Sequence, residues 1–119
     1  MNDWHPLRTE QEWAGALAES RVHPVVVFKH STRCSISRMA LDRFDRDWGG
    51  NPLPGLKRYC LDLLSYREIS NRIAAETGVE HQSPQVLLLS GGRCLYSESH
   101  QAIRLRDLVL HLPAGQEPV

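Results

Sequence analysis

The strongest constraint on the fold is an apolar run, Val25 to Lys29, that leads through a short polar turn into a helical pattern. Three consecutive valines followed by a phenylalanine favour a strand that is buried on both faces, as in a parallel sheet. Beyond the turn, apolar residues recur every three or four positions, at Ile36, Met39, Ala40, Phe44 and Trp48. The sequence therefore predicts a buried strand that is followed at once by a helix.

Similar patterns predict the other elements, in the order helix, strand, helix, strand, helix, strand, strand, helix. The first and third helices each follow a capping-box spacing, which begins at Thr9 and at Ser65 respectively. Three further strands are expected, at residues 57–61, 85–89 and 93–97. Gly91 and Gly92 join the last two strands as a hairpin, and Pro113 ends a final helical stripe.

This order of elements predicts an α/β fold. A strand, helix and strand in succession imply a parallel pair with a right-handed crossover, and the hairpin adds an antiparallel pair. We therefore expect a four-stranded mixed sheet flanked by helices on both faces, in the thioredoxin-like arrangement. With 119 residues, of which 41% are hydrophobic, the chain can bury one core, so we expect a single domain over residues 1–119. We expect its ends, residues 1–6 and 114–119, to be frayed.

Composition argues against several classes of partner. Fourteen basic residues balance fourteen acidic ones, so no overall field favours nucleic acid or an anionic membrane. Residues 1–6 lack the basic and apolar regions of a signal peptide, and we expect a cytoplasmic protein. The three cysteines, with no paired spacing, fit free thiols in a reducing compartment. The histidines show no ligand spacing with these cysteines, so no metal site is expected.

Cys34 is the residue in this pattern that can carry chemistry. It stands at the start of the predicted helix, where unpaired backbone N–H groups and the helix dipole favour a thiolate over a thiol. Lys29, His30 and Arg33 place positive charge nearby in the sequence, which we expect to stabilise the thiolate further. Ser37 occupies the position of a second cysteine, so the motif is C-x-x-S: the site can attack a sulfur but cannot close a local disulfide.

A proline supports this interpretation. Ser83-Pro84 comes directly before the third strand, where a proline removes no ladder donor that the sheet needs. In thioredoxin-like folds, a cis-proline at this point lies beside the reactive cysteine and leaves the preceding backbone free to pair with a bound thiol compound. We therefore expect Pro84 to be cis and to border the thiol-binding groove.

Five stretches of the chain, in matching order, carry a resemblance to a known family: FKHSTRCSIS (28–37), ISNRIA (69–74), TGV (77–79), HQSPQ (81–85) and SH (99–100). Together they resemble the monothiol bacilliredoxins, redox proteins of the bacillithiol system. Ser35 departs from the family's usual Thr-Cys-Pro-Ile-Ser pattern, since it stands where that proline would be. The resemblance implies that the protein removes bacillithiol, or a related low-molecular-weight thiol, from mixed disulfides on client proteins.

On this basis we assign Cys34 as the catalytic nucleophile and expect its thiol-binding residues to be Arg33, Ser35, Ile36, Ser37, Ser83 and Pro84. No cofactor is expected, because the small thiol acts as a co-substrate. Ser37 either donates a hydrogen bond to the Cys34 sulfur or caps the helix. For Cys60 and Cys94 a structural role is favoured over a role as resolving thiol.

Two alternatives to the oxidoreductase remain at this point. The C-x-x-S motif also occurs in monothiol glutaredoxins, which can carry an iron–sulfur cluster between two chains, although the glycine that usually follows their cysteine is replaced here by Ser35. The other alternative is a thioredoxin-like adaptor without turnover, in which Cys34 is incidental. Visible absorbance after anaerobic purification would favour the carrier, and slow alkylation of Cys34 at neutral pH would favour the adaptor.

Overall fold

A computed structural model describes residues 4–49 and 56–113. Strands and helices alternate through most of this range. The strands are β1 (Trp4–Pro6), β2 (Val25–His30), β3 (Lys57–Asp62), β4 (Gln85–Ser90) and β5 (Arg93–Ser99). The helices are α1 (Glu10–Glu19), α2 (Ser35–Trp48), α3 (Arg67–Thr77) and α4 (Leu105–Val109), with a 3-10 turn, His100–Ala102, between β5 and α4.

The strands form one mixed sheet in the order β1-β3-β2-β4-β5. Strand β3 pairs in parallel with both β1 and β2, whereas β4 pairs antiparallel with β2 and with β5. The parallel pair and the hairpin are those that the sequence predicts, and the thioredoxin-like α/β class is confirmed. The number of strands differs, because the described sheet has five strands rather than four.

The additional strand is β1, at the edge of the sheet. Its three residues pair with residues 58–60 of β3, and the Trp4 indole Nε1 donates a hydrogen bond of 2.9 Å to Asp45 Oδ1 on α2. Trp4 also packs edge-on against Phe28, with ring centroids 6.0 Å apart. The expectation that residues 1–6 are frayed is therefore wrong for residues 4–6, because backbone pairing with β3 and the contacts of the half-buried Trp4 ring hold them. Residues 1–3 and 114–119 lie outside the described residues.

Two apolar layers cover the sheet. On one face, α1 and α3 bury Trp13, Ala16, Ile69 and Ile73 against the odd-numbered residues of β2, β3 and β4. On the other face, α2 and α4 bury Ala40, Leu41, Phe44, Leu105 and Leu108 against the even-numbered residues of β2 and β4. Side chains alternate between the faces of a strand, so neighbouring residues of β2 contact different helices.

The ends of the helices follow the sequence signals only in part. Thr9 caps α1 as predicted, since its side chain accepts a 3.0 Å hydrogen bond from Glu12 N–H. The capping box predicted at Ser65 is wrong, because the Ser65 hydroxyl donates to Asp62 Oδ2 and Tyr66 takes the N-cap position without a side-chain cap. Gly78 ends α3 in the left-handed region, at φ 74°.

The topology places the Cys34 turn at the edge of the sheet that is formed by strand ends, where β2 ends and β4 begins. That turn follows the carboxyl end of β2, and antiparallel pairing brings the amino end of β4 to the same edge, where Lys29 pairs with Gln85. Residues 31–34 and the Ser83-Pro84 peptide therefore lie close together. Among the described residues, no helix is both long enough and apolar enough to cross a membrane.

Candidate active site around Cys34

Cys34 occupies the N-cap position of α2, with extended backbone angles (φ −107°, ψ 121°). The first backbone hydrogen bond of the helix joins Arg38 N–H to Cys34 O at 3.0 Å. No described residue accepts a hydrogen bond from the N–H groups of Ser35, Ile36 or Ser37, and no side chain caps the helix. Since the side chain of an N-cap residue is the usual acceptor for these N–H groups, a thiolate on Cys34 is well placed to accept from them.

Ser37 holds the turn that carries Cys34. Its side chain is fully buried, and its Oγ lies 2.7 Å from His30 Nδ1 and 3.0 Å from Ser31 N, which donates to it. A second turn bond joins Cys34 N–H to Ser31 O at 3.2 Å. One hydroxyl thus ties α2 to both the end of β2 and the beginning of the turn.

His30 is the buried partner of that hydroxyl. Burial lowers the pKa of His30 below its usual range, and the Arg38 guanidinium lowers it further, against the opposite effects of Asp62 and Asp42. A neutral imidazole with unprotonated Nδ1 accepts the Ser37 proton while Ser37 Oγ accepts from Ser31 N–H. This tautomer is assigned from the hydrogen-bond pattern. Of the two roles that the sequence left open for Ser37, a bond to the Cys34 sulfur is absent from the described hydrogen bonds, and helix capping is replaced by support of the turn.

The Ser83-Pro84 peptide is cis, as predicted. Pro84 is buried, and its carbonyl accepts a 2.9 Å hydrogen bond from His100 N–H. In contrast, no described residue hydrogen-bonds the backbone N–H or C=O of Ser83, which is half-buried. The residue before the proline thus keeps its backbone available to a ligand at the edge where the Cys34 turn lies.

Lys29 does not contribute charge in the way that the sequence suggests. Its side chain is fully buried, and Nζ donates to Ser70 O of α3 at 3.2 Å, on the face of the sheet opposite α2. Alternation along β2 explains the difference, because His30 contacts α2 and its neighbour must point the other way. Burial lowers the pKa of Lys29 to about 8. Arg33, which is exposed, is the charged side chain of the turn itself.

The predicted thiol-binding residues therefore divide into two groups. Arg33, Ser35 and Ile36 are exposed beside the half-buried Cys34, and Ser83 and Pro84 lie at the same edge of the sheet. Ser37, in contrast, is in the interior and has no exposed surface. The first group lies at the edge of the sheet that carries the Cys34 turn, while Ser37 supports the shape of that turn from inside.

The other two cysteines are poorly suited to act as nucleophiles. All three cysteines are free thiols. Burial, with smaller effects of Asp62 and Asp45, raises the pKa of Cys60 to about 12. Burial also raises the pKa of Cys94, whose sulfur donates to Tyr96 O at 3.2 Å. Because the thiolate is the reactive form, both residues are held in the unreactive state at neutral pH.

Sequence reasoning missed the link between His30 and Ser37. The alternation of side chains along the strand could have indicated this link. In a strand buried on both faces, residues 26, 28 and 30 share the face that α2 covers, and Ser37 lies in that helix, one turn after Cys34. A polar residue at the end of the strand therefore meets a polar residue on the buried side of the helix. The pairing of two polar groups in this way is expected wherever both are buried.

Comparison with known proteins identifies a family and a fold. The family model described as monothiol bacilliredoxin BrxC matches residues 5–108. A solved structure described as a candidate oxidoreductase with a thioredoxin fold has 26% sequence identity and a TM-score of 0.80, over 92% of this chain and 94% of that chain.

Thioredoxins are also similar in structure. Thioredoxin from Fasciola hepatica has 16% identity and a TM-score of 0.70, over 92% of this chain and 99% of that chain. Thioredoxin O1 from Arabidopsis thaliana, in its oxidized state, has 18% identity and a TM-score of 0.71, over 93% and 98% of the respective chains. At these identities the two thioredoxins support the fold alone, whereas the family match supports a function in thiol redox chemistry.

Proposed function

Because the chain belongs to the monothiol bacilliredoxin family, we propose that it is a thiol-disulfide oxidoreductase that removes bacillithiol, or a related low-molecular-weight thiol, from mixed disulfides on client proteins. Cys34 is the nucleophile. The co-substrate is the small thiol itself, and no resident cofactor is needed.

In the first step the Cys34 thiolate attacks the bacillithiol sulfur of the mixed disulfide. A disulfide forms between Cys34 and bacillithiol while the bond between bacillithiol and the client breaks. The electron pair of the broken bond leaves with the client sulfur, which takes up a proton as a free thiol. The oxidised state is thereby transferred from the client to Cys34.

The second step restores Cys34. A second low-molecular-weight thiol, as its thiolate, attacks the bacillithiol sulfur that is bound to Cys34. The Cys34 thiolate leaves, and the two small thiols depart as a disulfide. Ser37 cannot perform this step, because a hydroxyl does not ionise to a nucleophile at neutral pH. Cys60 and Cys94 are poor candidates for it, because both are half-buried and the pKa of each thiol is raised.

The observation that carries this proposal is the position of Cys34 at the N-cap of α2, above three backbone N–H groups that no described residue accepts from. Such donors favour the thiolate, both when it attacks and when it leaves in the second step. The available backbone of Ser83 supports the proposal further, since an extended ligand can pair with it next to Cys34.

Incubation with bacillithiol disulfide, followed by intact-mass measurement and peptide mapping, tests the proposal. We expect one bacillithiol per chain, on the peptide that contains Cys34. An adduct on Cys60 or Cys94 with Cys34 unmodified would contradict the assignment. The same incubation with Cys34→Ser should give no adduct, and Cys94→Ser is a matched control that retains the reactive thiol.

A further inference from the structure

A groove runs along α2 away from Cys34, and no part of the proposed chemistry has yet used it. It has a volume of about 420 Å³ and is lined by Ile36, Met39, Ala40, Arg43, Gln101 and Arg104. We call it the α2 groove. A volume of this size is in the range of small-molecule sites.

The end of the α2 groove near Cys34 is apolar. Ile36 stands two residues after Cys34, and Met39 follows on the next turn, with 47% and 70% of their surfaces exposed. The opposite wall begins at the 3-10 turn, whose His100 N–H donates to Pro84 O. The groove therefore lies between the first turns of α2 and the 3-10 turn that is hydrogen-bonded to Pro84, and its Ile36 end is the end nearer to Cys34 in the helix.

The far end of the α2 groove is cationic. Arg43 lies seven residues after Ile36, about 10 Å further along the helix axis. Its guanidinium donates to the carbonyl groups of Gln101 and Ile103, both at 3.0 Å, and Arg104 lies across the groove. Within residues 4–49 and 56–113, neither arginine has a carboxylate within ion-pair distance, whereas Asp107 is taken by Arg106.

We propose that the α2 groove binds the carboxylate-bearing end of the low-molecular-weight thiol while its sulfur is at Cys34. This inference rests on the proposed function, because the thiol occupies the groove as the disulfide with Cys34. An arginine is well suited to a carboxylate, and these two have no acidic partner of their own among the described residues. The ligand is thus a small thiol whose carboxylates lie far enough from its sulfur to reach the cationic end of the α2 groove. A client segment is the less favoured occupant, because in the first step the small thiol, not the client, becomes attached to Cys34.

The test compares glutathione disulfide with its carboxyl-esterified form, which keeps the same backbone but carries no free carboxylate. The rate at which each modifies Cys34 is measured for the wild type and for Arg104→Gln. Arg104 is chosen because no described hydrogen bond or ion pair holds its guanidinium, whereas Arg43 supports the backbone. Arg46→Gln is the matched control, because Arg46 is an exposed arginine of the same helix and does not line the groove.

We expect Arg104→Gln to slow modification by glutathione disulfide about 3- to 10-fold, the size of one charge-assisted contact, and to leave the rate with the ester unchanged. Arg46→Gln should leave both rates unchanged. Equal slowing by the two arginine variants, or slowing of both disulfides alike, would overturn the groove as a carboxylate site. So would an effect of Arg104→Gln that is confined to modified client proteins, because it would indicate a protein-docking surface. If the wild type reacts only with bacillithiol disulfide, Arg104→Gln and Arg46→Gln are compared with that disulfide, and equal rates overturn the groove as a carboxylate site. If none of the three disulfides modifies Cys34 in the wild type, the proposed function itself fails.

Discussion

Replacing Ser37 with Ala should destabilise the protein strongly, although it removes only one oxygen atom. The hydroxyl is fully buried and has two polar partners, His30 Nδ1 at 2.7 Å and Ser31 N–H at 3.0 Å. A buried polar group that loses its partner costs about 1–3 kcal/mol. His30 is only 5% exposed, so the loss of its partner should cost the full amount. The N–H group of the half-buried Ser31 should cost less, because water can reach it in part. We therefore expect a loss of about 3 kcal/mol in the free energy of unfolding.

This loss is large enough to be measured without ambiguity. For a chain of 119 residues it corresponds to a fall of about 10 °C in Tm. Urea titration at pH 7, followed by circular dichroism, gives the free energy of unfolding directly. Ser35→Ala is the matched control, because Ser35 is exposed two residues away in the same helix and should change stability by less than about 0.5 kcal/mol. If Ser37→Ala is no less stable than Ser35→Ala, the assigned role of Ser37 in holding the turn is wrong.

Three further predictions concern the thiols and the buried lysine. Ser37→Cys should release a small thiol from Cys34 without added thiol, as followed by mass spectrometry of the adduct, and persistence of the adduct would contradict the expectation that a thiol at position 37 reaches the sulfur at position 34. Adding His30→Gln to this variant should slow the release roughly tenfold or more, because the His30 imidazole is placed to take the proton of the new thiol. Cys60→Ser and Cys94→Ser should keep the first-step rate within about twofold, since both thiols are held protonated, and a larger loss in a stopped-flow assay would contradict this. Between about pH 10.5 and about pH 8, Lys29 binds a proton in the unfolded chain but not in the folded protein. As the pH falls through this range, the free energy of unfolding of the wild type, compared with that of Lys29→Met, should therefore decrease by about 1.4 kcal/mol per pH unit. Urea titrations across that range measure the difference, and a difference independent of pH would refute the burial effect.

Strands β2 to β5, the four helices and the position of Cys34 at a helix start could be predicted because hydrophobic periodicity indicates them. Strand β2 is apolar on both faces, and α2 has one apolar stripe, so the strand, turn and helix follow from a few residues. The short strand β1 could not be predicted in this way. Three residues that include Pro6 give too little pattern, and the strand is held by long-range contacts such as the one from Trp4 to Asp45.

The electrostatics of the site could be predicted less well than its position. Adjacent residues in the sequence suggest a shared cluster of charge, yet Lys29 and His30 point to opposite faces of the sheet, and burial lowers the pKa of both. What the sequence cannot supply is the environment of each side chain, which decides its protonation state. The same limit applies to Ser65, whose spacing fits a cap but whose hydroxyl finds Asp62 instead.

The central claim, that the Cys34 thiolate takes the small thiol from a modified client, is tested most directly by a single-turnover experiment. A client protein carrying one bacillithiol is mixed with an equimolar amount of the wild type, with no free thiol present, and both proteins are weighed by mass spectrometry. The account predicts that the client loses the mass of bacillithiol while the wild type gains it on Cys34, and that Cys34→Ser, with its fold intact, leaves the client unchanged. Removal of bacillithiol by the Cys34→Ser protein, or release from the client with no adduct on Cys34, would contradict the account.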